Sequence, residues 1–165
     1  MLALHGPLGA CYDAAKVAGA LLAAQLRAGV YGARPVSLVA VSVGARVAWH
    51  CLEVLRALPG DAGEGLVHDV LLMAAPVTAN PLRWERVASV VCGRLVNAYV
   101  PDDTQLSLLY RLNHLASQGC CGLMPVASER VENFDATAQV AQTMRSYHFA
   151  MPGVLEAVGL VPSPS

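Results

Sequence analysis

"PVSLVAVSVGARVAWH", residues 35–50, is the stretch whose reading decides the fold. From Val36 to Ser42 it is a short apolar run, bounded by Pro35 and by a turn at Gly44, as expected of a strand covered on both faces. Val39 and Val41 are accordingly expected to be buried. Beyond Gly44 the period changes. Val47, Cys51, Val54 and Leu58 recur three or four apart and predict one face of a helix over 45–58. Ser42 stands at the junction. Ala40-Val41-Ser42-Val43-Gly44 approximates G-x-S-x-G with alanine in the first glycine position. That pattern makes a tight strand-to-helix turn and pushes a serine hydroxyl out of the sheet. The Val43 amide would then face an anion at the helix start. The same letters also suit a serine that caps a helix, so two readings of Ser42 stand.

Outward from this junction the pattern repeats. A helix is predicted over 12–29, rich in alanine and leucine and ending at Gly29. After the junction come a strand over 66–76, a loop and short helix through 77–89, and a strand opening at or after Gly93. A helix follows over 102–117, then a loop with a fourth short strand, and a last helix over 151–160. Alternation of strand and helix predicts an α/β fold with a mainly parallel sheet flanked by helices.

The bulk numbers agree. The chain of 165 residues is long enough for one domain with a real core. Its mean hydropathy of +0.47 is high, as a sheet buried on both faces requires. The longest apolar run, "PVSLVAVSVGA", stops at Arg46, short of the roughly 20 residues that span a bilayer. No basic n-region marks a secretion signal at the N-terminus. The formal charge of -1 and the lack of a basic block argue against a nucleic-acid partner. Five cysteines, Cys11, Cys51, Cys92, Cys120 and Cys121, are read as free thiols, favouring an intracellular setting. The adjacent pair lacks metal-ligand spacing, so no metal is expected, and no cofactor motif follows any strand.

Three longer stretches together resemble one family. "RPVSLVAVSVGARVAWHCLEVL" (34–55), "GLVHDVLLMAAPVTANPLRWERVASVVCGRLVNAYVPDDTQLSLLYR" (65–111) and "VENFDATAQV" (131–140) are similar to the DUF726 group of α/β-hydrolase-like proteins, as is "MPGVLEAVGL" (151–160). The resemblance implies the C-terminal half of an α/β-hydrolase fold, over 12–161, with a disordered tail at 162–165. The earlier strands and the loop carrying a second oxyanion amide would be missing. It also implies membrane association, since members often carry spanning segments outside this half.

In this fold a nucleophilic serine is followed along the chain by an acid and then a histidine. Asp102 and Asp103 follow the third strand's end, where ligand groups gather in a parallel sheet. The family's aspartate matches Asp103. Either aspartate also suits a helix cap. His5, His50 and His68 precede the acid, and His114 follows it in a helix read as surface. His148 is the one histidine far enough downstream. The family's "G-H-x-x-Y", aligned on Tyr147, places Met144 where its histidine stands.

Two functions follow. One is a serine hydrolase acting on an ester or lipid-like acyl substrate, with Ser42 as nucleophile, His148 as base, Asp103 orienting it and Val43 N–H at the oxyanion. The other is a non-catalytic α/β-hydrolase-like scaffold or an inactive truncated form, engaged in homo-oligomeric or membrane-peripheral association. The strand at 36–42 is expected to offer a bare edge, open to pairing with a second copy.

Overall fold

A computed structural model describes residues 7–113, 119–144 and 146–161. His5, His114 and the expected tail at 162–165 lie outside them. The element order is α1 (Pro7–Arg27), β1 (Val36–Val41), α2 (Val43–Arg56), β2 (Val67–Met73), α3 (Pro81–Ala88), β3 (Leu95–Tyr99) and α4 (Thr104–Asn113). A short 3-10 turn (Cys121–Leu123), β4 (Glu132–Asp135), α5 (Thr137–Ala141) and α6 (Tyr147–Ala157) complete it. The four strands form one parallel sheet in the order β1-β2-β3-β4. This is an α/β architecture consistent with a partial α/β-hydrolase-like fold.

Alternation along β2 explains why helices cover both faces. Val70 and Leu72 join α1, α2 and α3 in one apolar cluster, which includes Leu26, Trp49, Leu52, Trp84 and Val87. Leu71 and Met73 point the other way, into a cluster with Val96, Ala98, Val140, Ala150 and Val154 from β3, α5 and α6. The register shifts between Val36 and Leu38, which pair with Val67 and Val70. The extra β2 residue at this irregularity places Val67 and Val70 in the same cluster.

β1 is an edge strand, as the bare-edge expectation required, but its burial differs from that of a central strand. Ser37 is exposed and Val39 is 41% exposed, so the expectation that Val39 is buried is corrected. Leu38 and Ala40 pack on the α1–α3 side, whereas of β1 only Val41 packs into the α5–α6 cluster.

The buried stripe of α2 also differs from the sequence reading. Ala45, Arg46, Ala48, Trp49, Cys51, Leu52 and Leu55 are buried, while Val47, Val54 and Leu58 are half-buried. α2 is gripped from two sides, by the sheet and by α1, so its buried arc is wider than one stripe. α1 comes close at Gly19, where an added Cβ would lie 2.7 Å from both the Val47 carbonyl oxygen and His50 Cβ. Arg46 is buried with its guanidinium 4.1 Å above the Tyr12 ring, and its Nη1 donates to the Pro76 carbonyl at 2.7 Å. This one side chain ties α1, α2 and the segment after β2 together.

Asn97, fully buried in β3, holds a loop against the sheet. Its Nδ2 donates to the Met124 carbonyl at 3.1 Å and to Asn133 Oδ1 at 3.2 Å. Asn133 in turn pairs with both the N–H and the carbonyl of Val126, each at 2.8 Å. The loop is thus laced along β3 and β4.

All five cysteines are free. Burial pushes the Cys51 thiol up to about 12 and Cys120 to about 11, and Cys121 well above its ordinary value. Cys11 and Cys92 are exposed. A thiol reagent at neutral pH should therefore modify Cys11 and Cys92 in the folded chain and all five after denaturation without reductant, as read by mass. Disulfide-protected sites after denaturation would contradict this. Gly19→Ala should destabilise the chain by about 1–3 kcal/mol in urea unfolding, because the α2 backbone cannot yield to the new methyl. An unchanged or raised midpoint, as helix propensity alone would give, would remove the close α1–α2 approach.

Candidate functional site

A parallel sheet delivers all its strand C-termini to one edge, and the candidate residues follow these ends. Ser42 follows β1 directly, Asp102 and Asp103 follow β3, and Met144 follows β4 and α5. Among the described residues, the non-glycine residues with positive φ are Ser42 (53°), Ala74 (49°) and Met144 (54°). Ser42 and Ala74 sit at the ends of adjacent strands. Backbone of this kind costs about 1–3 kcal/mol per residue and persists only where its surroundings over-determine it.

Ser42 is held by its own backbone. Its N–H donates to the Met73 carbonyl at 2.9 Å, continuing the β1–β2 ladder one residue past the strand, and its carbonyl accepts from Ala45 N–H at 3.0 Å. Its φ and ψ are 53° and -123°, and the side chain makes no capping hydrogen bond. The helix-cap reading therefore fails on both counts, since a capping serine takes extended dihedrals and accepts from the first turn. The residue is exposed, and Val43 is the first residue of α2. Gly44 faces open space, with no atom within 4 Å of an added Cβ.

Asp103 serves two partners. Its Oδ1 accepts from Leu106 N–H at 2.8 Å, capping the start of α4, and its Oδ2 accepts a short hydrogen bond from the Tyr147 hydroxyl. The capping reading thus holds for Asp103, and Tyr147 completes its coordination. Asp102, Asp103, Thr104, Gln105, Thr137, Met144 and Tyr147 provide much of the lining of a hollow of about 300 Å³ at this edge. Ser42 is not among its lining residues. The Met144 side chain stands 93% exposed at its rim.

His148 lies elsewhere. It occupies the first turn of α6, exposed, with its ring edge-on to Phe149 at 5.4 Å. The groove it lines is formed with Phe149, Met151, Pro152 and Leu155, on a different surface from the Asp103 hollow. The structure therefore groups Asp103 with Met144 and Tyr147, whereas His148, the next residue of α6, lines the separate groove. Among the described residues no cluster of three or more His, Cys, Asp or Glu side chains forms a metal site.

The floor of this edge is a packed turn. Gly122 N–H donates to the Ala75 carbonyl at 3.2 Å, and Val100 N–H to the Gly122 carbonyl at 3.0 Å. A Cβ on Gly122 would sit 2.7 Å from Ala75 N, so only glycine fits between the ends of β2 and β3.

The family pattern described as "Protein of unknown function (DUF726)" matches residues 2–161. The chain belongs to this family. The match begins upstream of Tyr12 and covers nearly the whole chain. The rice Transmembrane and coiled-coil domain-containing protein STS1 (Oryza sativa subsp. japonica) is 40% identical over 148 residues, which are 90% of this chain and 22% of that protein. Uncharacterized membrane protein F35D11.3 of Caenorhabditis elegans is 35% identical over 164 residues, 98% of this chain and 26% of the relative. Probable lipase MIL1 of Saccharomyces cerevisiae is 34% identical over 164 residues, 95% of this chain and 14% of the relative. The chain thus spans about a quarter or less of the length of each. No solved structure matches. The rice and Caenorhabditis elegans relatives are membrane proteins by name, while among the described residues of this chain no helix is long and apolar enough to cross a membrane.

The bond from Tyr147 to Asp103 has no signal in the sequence beyond the family pattern. A double-mutant cycle on Asp103→Asn and Tyr147→Phe should return a coupling of about 1 kcal/mol or more in urea unfolding, the size of one charge-assisted hydrogen bond. Strictly additive losses would dissolve the pair.

Proposed function

We propose that this chain is a non-catalytic α/β-hydrolase-like scaffold, serving assembly at or near a membrane. The observation that carries this reading is that Asp103 has structural partners on both carboxylate oxygens while His148 lines a separate groove. The Asp103 carboxylate oxygens go to the Leu106 N–H and the Tyr147 hydroxyl. A triad would instead bind a histidine ring there, within about 3 Å. The side chain at the rim beside Asp103 is that of Met144, whose thioether cannot accept a proton from a serine. His148, on the α6 groove, shares no lining with the aspartate. The membrane setting is supported by relatives named as membrane proteins.

A second reading is favoured by one specific observation. Ser42 pays for a strained φ of 53° without gaining a cap, as a nucleophile held on a sharp turn would. In that reading Ser42 Oγ attacks an ester or lipid-like acyl carbon, Val43 N–H donates to the oxyanion, and His148, oriented by Asp103, takes the proton. A relative named Probable lipase MIL1 supports it.

A fluorophosphonate probe separates the two. As a scaffold, the wild-type chain should stay unlabelled over hours, and Ser42→Ala should change nothing. Met144→His, which sets an imidazole beside Asp103, should raise labelling above wild type if Ser42 lies within reach. Prompt labelling of wild type that Ser42→Ala abolishes and His148→Ala slows by about 10²-fold or more would replace the scaffold with the hydrolase.

A further inference from the structure

On the opposite side of the molecule from the α6 groove, α2 and α3 pack through Trp49 and Trp84, whose ring centroids lie 4.9 Å apart. Outside this contact runs a cleft of about 180 Å³ lined by Glu53, Arg56, Arg83, Arg86 and Val87. Three arginines and one glutamate thus share the lining of one cleft. That carboxylate is already spent. Glu53 Oε1 pairs with Arg83, and Oε2 lies 2.9 Å from His50 Nδ1. Burial alone would raise the Glu53 pKa, yet the hydrogen bonds from His50 and Arg83 bring it down to about 2, so it stays ionised at neutral pH. The pair fixes Arg83 across the cleft, with its guanidinium 5.8 Å from the Trp49 ring centroid. Arg56 and Arg86 are exposed and have no carboxylate within ion-pair distance among the described residues. Each lies in the last turn of its helix, where the dipole favours a cation. That accounts for each arginine singly, but not for their convergence with Arg83 on one hollow.

We propose that the α2–α3 cleft binds a phosphate group between Arg56, Arg83 and Arg86. A tetrahedral dianion matches this arrangement: guanidinium forks donate paired hydrogen bonds to phosphate oxygens, and Arg83 is preset by its ion pair. The cleft is a shallow surface site, so the phosphate belongs to a headgroup or a small phosphate ester rather than to an enclosed ligand. This site is independent of how Ser42 is read.

Two probes test it on the full 165-residue chain: inorganic pyrophosphate by calorimetric titration, and phosphatidylcholine vesicles with and without phosphatidic acid by co-sedimentation. Pyrophosphate binding should weaken about tenfold or more in Arg56→Gln/Arg86→Gln, fall with added salt, and be unchanged in Arg27→Gln, an exposed arginine outside the cleft lining. Capture by phosphatidic acid vesicles that the double variant abolishes assigns the phosphate to a lipid headgroup. Pyrophosphate binding without vesicle capture assigns it to a soluble ester. Absence of binding to either probe, or binding indifferent to the double variant, overturns the site. Both arginines are exposed, so unfolding does not confuse the result, and circular dichroism of the variant checks this directly.

Discussion

Everything in this molecule follows from burying both faces of β2. A parallel strand in the middle of a sheet cannot leave either row of side chains in water. Val70 and Leu72 demand one helical layer and Leu71 and Met73 another. The crossovers that supply those layers set the strands parallel, and parallel strands bring their C-termini to a common edge. Ser42, Ala74 and Asp103 are set along that edge, at or just after the ends of β1, β2 and β3, as a consequence of burial, before any chemistry is considered. The same demand explains the composition, since a strand covered on both sides has no polar row to spend.

The second layer is less complete than the first. α5 and α6 cover β2, β3 and β4, but over β1 they reach only Val41, leaving Val39 and Ser37 in solvent. β1 is therefore buried by α2 on one side and exposed on the other, and its outer backbone edge has no partner strand among the described residues. Such an edge is a template for strand addition, and one exposed serine and one exposed valine do little to blunt it. The sheet and the strained turn at Ser42 share this strand, so whatever pairs with the edge also bears on the conformation of the serine.

Much of the fold was legible, and the reasons are local. The switch from an apolar run to a three-four spacing around Gly44 is a period change, which sequence displays directly. The apolar runs read as strands over 66–76 and from Gly93 onward contain β2 (Val67–Met73) and β3 (Leu95–Tyr99). Other features depend on what packs nearby. α6 begins at Tyr147, not at Met151, because Pro152 reads as a first-turn residue yet lies inside the helix. Proline cannot donate to the His148 carbonyl, a cost the sequence alone does not show being met. α5, five residues long, spans less than two turns, too few for a periodic pattern to show. The stripe on α2 was misplaced because α1 grips it from a second side, and the residue that permits this, Gly19, looks like an ordinary helix defect in sequence. In the candidate site, the motif and the strand ends pointed to Ser42 and to the pair Asp102 and Asp103, and the family resemblance chose Asp103 between them. Their partners were not legible, because a hydrogen bond from Tyr147 to Asp103 spans a sequence distance that no pattern encodes.

The Asp103–Tyr147 bond and the Ser42 turn place opposite demands on how this edge is understood. Capping α4 and receiving a phenol are structural duties that a carboxylate performs in any buried corner, and they stabilise the junction of β3, α4 and α6. The Ser42 turn stabilises nothing of its own: it forgoes the side-chain cap worth about 1 kcal/mol and holds a dihedral pair that costs about as much again. A fold selected for rigidity alone would relax that residue into an ordinary cap. Its retention requires enforcement by neighbours, and these are identifiable: the bond to Met73 extends the ladder beyond β1, and buried Ala45, Ala48 and Trp49 fix where α2 must begin. The distance between the last ladder bond and the first core contact of α2 is only a few residues. The chain can cover it only by turning sharply at Ser42. The strain is thus a geometric consequence of packing α2 tightly against the strand that precedes it, and it persists whether or not a base stands opposite the hydroxyl.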